Sequence, residues 1–173
     1  WTDAELNALK AIASLFAQTQ ARVQAEDKLR YLAEHDDLTG LYNRRALLNH
    51  LDVRLADGQP GPVSALFFDL DRLKAINDYL GHTAGDWFIR VLAERLRRGA
   101  ECPTLIARLG GDEFALLMLH AGYEEGRAKA RQLAEALKTE GFVWDGQKTE
   151  LGGSFGVRAW DGHTDAEVWL TEA

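Results

Sequence analysis

The chain has 173 residues, 46% of them apolar and 27% charged, and a formal net charge of −7 at pH 7. That length suits one compact domain plus an appendage, with enough apolar residues for a full core. The acidic balance excludes a general nucleic-acid or anionic-membrane surface, because both need a basic stripe. There is no 18-residue apolar run and no signal peptide, so no membrane partner is expected for this segment. The one cysteine, Cys102, cannot close an internal disulfide, and a reducing, cytoplasmic home is expected.

Residues 1–34 contain no Gly or Pro and place Leu6, Leu9, Ala13, Phe16, Gln20 and Val23 at steps of three and four. Thr2 followed by Glu5 reads as a capping box at the start of this helix. The same register next meets Asp27 and Arg30, while apolar residues return at Leu29, Leu32 and Ala33. The seam therefore slips near residues 24–28, as at a local unwinding of a coiled coil. We expect a parallel dimeric coiled coil over residues 1–34, rather than an amphipathic helix lying on its own domain. Two registers of similar energy would form a bistable element that an upstream sensor can bias.

Residues 35–173 form the expected catalytic domain. The pattern predicts a helix over 43–56, a Gly/Pro loop at 57–62, a strand over 63–69 and helices over 71–79 and 84–98. Strands over 104–109 and 113–119 follow, then a helix over 123–139 and a hairpin at about 142–160 turning at Asp145-Gly146. This mixture predicts an α/β (α+β) fold, a palm-like central sheet with antiparallel strands flanked by helices.

Two clusters of acids stand out. Gly110-Gly111-Asp112-Glu113 lies at a tight turn between strands, where glycines let another group approach the main chain and the carboxylates offer a seat for Mg²⁺ and phosphates. Val63–Phe68 reads as a buried strand that ends in Asp69-Leu70-Asp71, delivering acids at the sheet edge. One carboxylate from Asp69 or Asp71 plus Asp112 would supply what magnesium takes from protein. Asp71 also suits the N-cap of the helix that follows.

These residues resemble the GGDEF domain of bacterial diguanylate cyclases. The resemblance covers roughly residues 35–160 and runs in order through His35–Arg45, Phe68–Asp78, Leu80-Gly81-His82, Gly85-Asp86 and Ala107–Leu109 before the signature turn. It implies a metal, Mg²⁺ with Mn²⁺ as the substitute, held by Asp69, the Leu70 carbonyl and Asp112. It implies that the Arg72 and Leu73 amides cradle the β- and γ-phosphates and that Lys74 sets a cation against the triphosphate. Asn77 and Asp86, with His82 nearby, would read the guanine edge. Asp112 would help deprotonate the attacking 3′-hydroxyl, and Glu113 and Gly111 complete the catalytic turn. The 36–45 stretch is expected to be structural, a turn pinned by pairs among Asp37, Arg44 and Arg45.

Two departures carry weight. Product-inhibited members place an Arg and an Asp where this chain has Glu101 and Thr104, so no inhibitory product site is expected. Members also continue into a helix whose Lys and Arg reach the γ-phosphate, near where Thr171-Glu172-Ala173 stand. The opening segment resembles the final helix of a GAF-type sensor, which makes an excised piece of a longer receptor the expectation. The implied activity is condensation of two GTP into cyclic di-GMP and two pyrophosphates by a homodimer. A catalytically silent GTP-binding module that regulates a fused partner is the alternative.

Overall fold

The computed structural model describes residues 1–56, 61–100, 104–149 and 152–171. The chain divides into two compact units, Trp1–Glu34 and His35–Ala173. The first is a single helix, α1 (Asp3–Glu34), none of whose residues is buried. Its N-terminus closes as a capping box: the Thr2 N–H donates to Glu5 Oε2 at 2.7 Å and the Glu5 N–H donates to Thr2 Oγ1 at 3.3 Å. Leu9, Ile12, Leu15, Phe16 and Val23 are all exposed on it.

The second unit is built on a sheet of five strands in the order β1-β3-β4-β2-β7. These are β1 (Tyr42–Asn43), β2 (Val63–Leu70), β3 (Thr104–Gly110), β4 (Glu113–Leu119) and β7 (Gly153–Ala159). β1 lies parallel to β3 and every other pairing is antiparallel. Along β2 the side chains alternate between two cores, as the two-residue period of a strand requires. Leu66, Phe68 and Leu70 enter one core with Phe114, Leu116 and residues of α3 (Leu73–Leu80), α4 (His82–Gly99) and α5 (Tyr123–Glu140). Val63, Ala65 and Phe67 enter the other with Ala115, Leu117 and residues of α2 (Arg44–Ala56) and α6 (Ala166–Thr171). Burial on both faces explains why β2 reads as a continuous apolar run.

The structure corrects four expectations. The 142–160 stretch is not one hairpin: β5 (Phe142–Trp144) and β6 (Gln147–Thr149) pair by themselves, while β7 joins the main sheet beside β2. The turn between β5 and β6 does fall at Asp145-Gly146, both at positive φ (47° and 77°), which suits a two-residue hairpin. Asn43, expected to open the helix, instead belongs with Tyr42 to a short strand before α2, because Tyr42 and Asn43 pair with Ala107 and Arg108. α3 starts at Leu73, and its N-cap is Arg72 at φ 66°, not Asp71. Asp71 instead accepts a hydrogen bond from Ser154 Oγ at 3.2 Å. The 36–45 turn is pinned by Asp36, which pairs with Arg108 at 3.1 Å, whereas Asp37 is exposed. Residues 57–60 of the expected loop, Glu101 and Cys102 lie outside the described residues.

Gly153 stands so close to Phe68 that a Cβ would overlap its ring. Gly153→Ala should therefore destabilise the fold by about 1–3 kcal/mol, read as a lower midpoint in urea with an unchanged slope. An unshifted midpoint would show that the aromatic pair of Phe68 with Phe155 repacks without cost.

Candidate active site

Antiparallel pairing sets Asp69 opposite Glu113 and Phe68 opposite Phe114. Past the last pair, the Leu70 N–H donates to the Asp112 carbonyl at 3.2 Å and ties the end of β2 to the turn. Gly111 in that turn takes φ 48°, a left-handed conformation that glycine adopts without strain. Asp69 is held above the ordinary carboxylate range, first by partial burial and then by the charges of Asp112 and Asp71. The charges of Asp71 and Asp112 thus bear on Asp69 at the strand end.

The donor set fits a hard divalent cation. Among the described residues no three His, Cys, Asp or Glu side chains form a ready cage. Magnesium does not need one, since it takes one or two carboxylates and completes its octahedron with water and phosphate. The register brings Asp69 opposite the turn, while the Asp71 carboxylate is engaged by Ser154 on β7.

Two residues beyond the strand end, α3 begins without a side-chain cap. Its opening amides, at Leu73 and the residues after it, are free to meet an anion. Leu73 is buried and anchors the helix in the core, while Arg72 and Lys74 are exposed beside that opening. One turn further on, Asn77 points back at α4. Its Oδ1 is buried without a hydrogen-bond partner, and a Cβ on Gly85 would overlap it. Only glycine at 85 lets Asn77 lie this close to α4, where Asp86 is the next residue and exposed. His82, four residues before Asp86 on the same helix face, is exposed as well.

The predicted residues fall into three sets, the first assembled from two separate stretches of chain. Asp69, Leu70, Gly111, Asp112 and Glu113 form the strand-end set; Arg72, Leu73 and Lys74 form the helix-start set; Asn77, His82 and Asp86 form the third. A cavity of about 480 Å³ opens beside the first set, lined by Asp69 and Glu113 together with Arg44, Phe67, Ser154 and Leu170. Lys74, Asn77, Asp86 and Asp112 do not line it.

Sequence reasoning missed Arg108 and Ser154, and gave Arg44 only a structural role in the 36–45 turn. Arg108 had a readable signal, a lone cation inside the apolar strand Leu105-Ile106-Ala107-Arg108-Leu109. Its Nε and Nη2 donate to the Gly111 carbonyl at 3.0 and 2.7 Å, and its Nη1 donates to both Asp36 oxygens at 3.1–3.2 Å. Burial raises the Asp36 pKa, but hydrogen bonds from Thr39 and Arg108 outweigh it and leave this carboxyl below its ordinary value. Arg44 and Ser154 lacked any such signal, because only the folded sheet brings residues 44 and 154 to one cavity.

An α+β sheet with acids at a strand end and an uncapped helix beside them is an arrangement able to meet a cation and an anion together. The profile for "Diguanylate cyclase, GGDEF domain" matches residues 33–173, and the chain belongs to this family. An uncharacterized protein of Mycobacterium tuberculosis is 73% identical over 117 residues, covering 68% of this chain and 19% of that protein. The probable diguanylate cyclase DgcE of Escherichia coli is 37% identical over 145 residues, 82% of this chain and 13% of DgcE. The chain thus spans less than a fifth of the length of either relative. The crystal structure of the coiled coil and GGDEF domain of DgcB from Caulobacter crescentus superposes with a TM-score of 0.85 at 23% identity. That match covers 95% of this chain and 89% of the other and shows the shared fold.

A carboxylate whose pKa is raised by folding destabilises the fold when ionised, so it contributes most below that range and costs stability as pH rises through it. Asp69→Asn should leave the metal-free protein melting at the same or a higher temperature. If the site takes a metal-bound nucleotide, the same variant should also abolish any stabilisation on adding GTP with Mg²⁺ in that calorimetric scan. A lower melting temperature without ligand would mean that Asp69 serves the scaffold instead.

Proposed function

We propose that this chain is the catalytic domain of a diguanylate cyclase, which condenses two GTP into cyclic di-GMP with release of two pyrophosphates. The observation that carries the reading is the convergence of Asp69 and Asp112 at one strand end, tied by the Leu70-to-Asp112 hydrogen bond. Asp69, the Leu70 carbonyl and Asp112 would hold Mg²⁺, or Mn²⁺ in its place. The bound ion supplies charge neutralisation on the phosphate oxygens as negative charge moves to the leaving pyrophosphate.

The chain's own groups do the rest. The opening amides of α3 and the Lys74 ammonium bind the triphosphate and oppose its charge. The Asn77 amide and the Asp86 carboxylate take the guanine edge. An acid that accepts from the guanine N1–H and N2 amine has no match in adenine, which supports GTP over ATP. Asp112, with Glu113 beside it, accepts the proton of the 3′-hydroxyl. That oxygen forms a bond to the α-phosphorus of the second GTP as the bond to pyrophosphate breaks, and the second linkage forms in the same way. Each 3′-oxygen must meet the other nucleotide in line, so two domains face each other and the catalyst is a homodimer. The exposed apolar residues of α1 support a coiled coil between two copies, with its register set by an upstream sensor in the full-length protein.

Incubating the full-length protein with GTP and Mg²⁺ should yield cyclic di-GMP, resolved from GTP by liquid chromatography. Binding of GTP without product would favour the silent regulatory module. Asp112→Asn should lower turnover by on the order of a hundredfold or more with a nearly unchanged melt, because a turn acid contributes little to packing. A variant that keeps most of its activity would remove Asp112 from both roles.

Asp86→Ala should raise the KM for GTP about tenfold or more and narrow the preference over ATP, as the guanine donors lose their acceptor. Competition kinetics with ATP would read this directly. Unchanged selectivity would place guanine recognition elsewhere.

A further inference from the structure

The signature turn is held in an unusual way. Its two glycines have nothing within 4 Å of where a Cβ would stand, so no side-chain packing fixes the backbone there. Glycine also leaves the widest conformational freedom in the chain, and the next residue is Asp112. Among the described residues, the side-chain hydrogen bonds made to this turn come from Arg108, through the Gly111 carbonyl. The guanidinium is planar and donates in fixed directions, so holding Gly111 with Nε and Nη2 leaves Nη1 aimed at Asp36. Asp36 is itself fixed: its Oδ1 accepts from the Thr39 N–H at 2.9 Å and from Thr39 Oγ1 at 2.6 Å. The Thr39 carbonyl in turn accepts from Arg97 of α4 at 2.8 Å. The Arg108 and Asp36 side chains are only 13% and 23% exposed, so solvent screens this pair less than one on the open surface. A chain of directed bonds thus runs from α4 through Thr39, Asp36 and Arg108 to the carbonyl one residue before Asp112.

We infer that Arg108, oriented by Asp36, is a positioning residue for the nucleotide–metal site, holding the Gly111 carbonyl so that Asp112 and Glu113 face Asp69. It touches no reacting atom. Its role is to remove the freedom that two adjacent glycines would otherwise give to a metal-binding carboxylate. The inference rests on the diguanylate cyclase reading and adds to it a residue outside the predicted site.

Three variants, Arg108→Ala, Arg108→Lys and Asp36→Asn, test it in the full-length protein at a temperature where far-UV circular dichroism shows each folded. Two quantities are read: kcat for cyclic di-GMP, and the Mg²⁺ concentration that half-saturates GTP binding by calorimetry. Arg108→Ala should lower kcat and raise the half-saturating Mg²⁺, each by about 10- to 100-fold, as when an outer partner of a metal ligand is lost. Arg108→Lys should fall between it and the unaltered protein. An ammonium keeps the charge facing Asp36 but cannot hold the Gly111 carbonyl with two converging donors while also reaching Asp36. Asp36→Asn should shift both quantities in the same direction by less. Folded variants that melt at lower temperature but keep kcat and Mg²⁺ dependence would overturn the inference and leave the pair purely structural. If the unaltered protein neither binds GTP with Mg²⁺ nor makes product, the functional reading fails first and the inference goes with it. That result is distinct from an active protein indifferent to Arg108.

Discussion

β2 and β4 are zipped together from Val63–Leu119 to Asp69–Glu113, and this pairing sets where the acids at the strand end stand. Each residue between those limits is buried or partly buried, so a slip of one position would turn Leu66 and Phe68 out of their core. The register is thereby fixed by packing far from the acids. The carboxylates inherit their positions from it: Asp69 makes the last β2–β4 pair, opposite the first residue of β4, and the Leu70 N–H reaches the Asp112 carbonyl. Since β2 is flanked by both β4 and β7, its terminal acids are also set against Ser154, which takes up Asp71. Neighbouring strands thus separate two adjacent acids, one toward the turn and one toward β7.

The same economy governs the α3–α4 corner. α3 starts where the strand ends because Leu73 and Ile76 reach the core, and Arg72 makes the left-handed step that redirects the chain. Gly85 then removes the one Cβ that would keep Asn77 from α4. An amide oxygen buried with no partner costs free energy in the absence of ligand.

The sequence made the sheet legible wherever burial leaves a pattern. β2, β3 and β4 are apolar runs bounded by Gly or acids, and their limits lie within a residue of the expected ones. The capping box of α1 and the Asp145-Gly146 turn are local chemistry and were equally readable. What the sequence concealed depends on partners far along the chain. Nothing within residues 142–160 says that β6 ends one sheet and β7 joins another, since β7 is recruited by the open edge of β2. Asp36 and Asp37 are indistinguishable until Arg108, 72 positions away, selects the first. Asp71 looked like a helix cap because an acid preceding a helix is usually one, but Ser154 competes for it. In the candidate site the acids were readable as types and spacings and Arg108 as a lone cation in an apolar strand, whereas the meeting of Arg44 and Ser154 at one cavity required the fold.

A collection of like charges at a strand end works against the fold that displays it, and the magnitudes show why the fold tolerates it. Exposed charge pairs are worth roughly 0–1 kcal/mol, whereas full burial of a single Leu or Phe side chain contributes about 1.5–3 kcal/mol. Leu66, Phe68, Phe114 and Leu116 are each no more than 2% exposed, and they stand on the same two strands that carry Asp69 and Glu113. The scaffold therefore outweighs the repulsion several times over without any contribution from the acids. Freed from a structural role, Asp69 can stay under the repulsion of Asp112 and Asp71. Asp36 is the converse case. Its charge is satisfied by Thr39 and Arg108, it belongs to the scaffold, and its contribution is present above the ordinary carboxylate range and lost as pH falls through its lowered pKa. One domain thus holds two kinds of acid, and the environment of each carboxyl, more than its place in a motif, separates the acid held under repulsion from the acid satisfied by its partners.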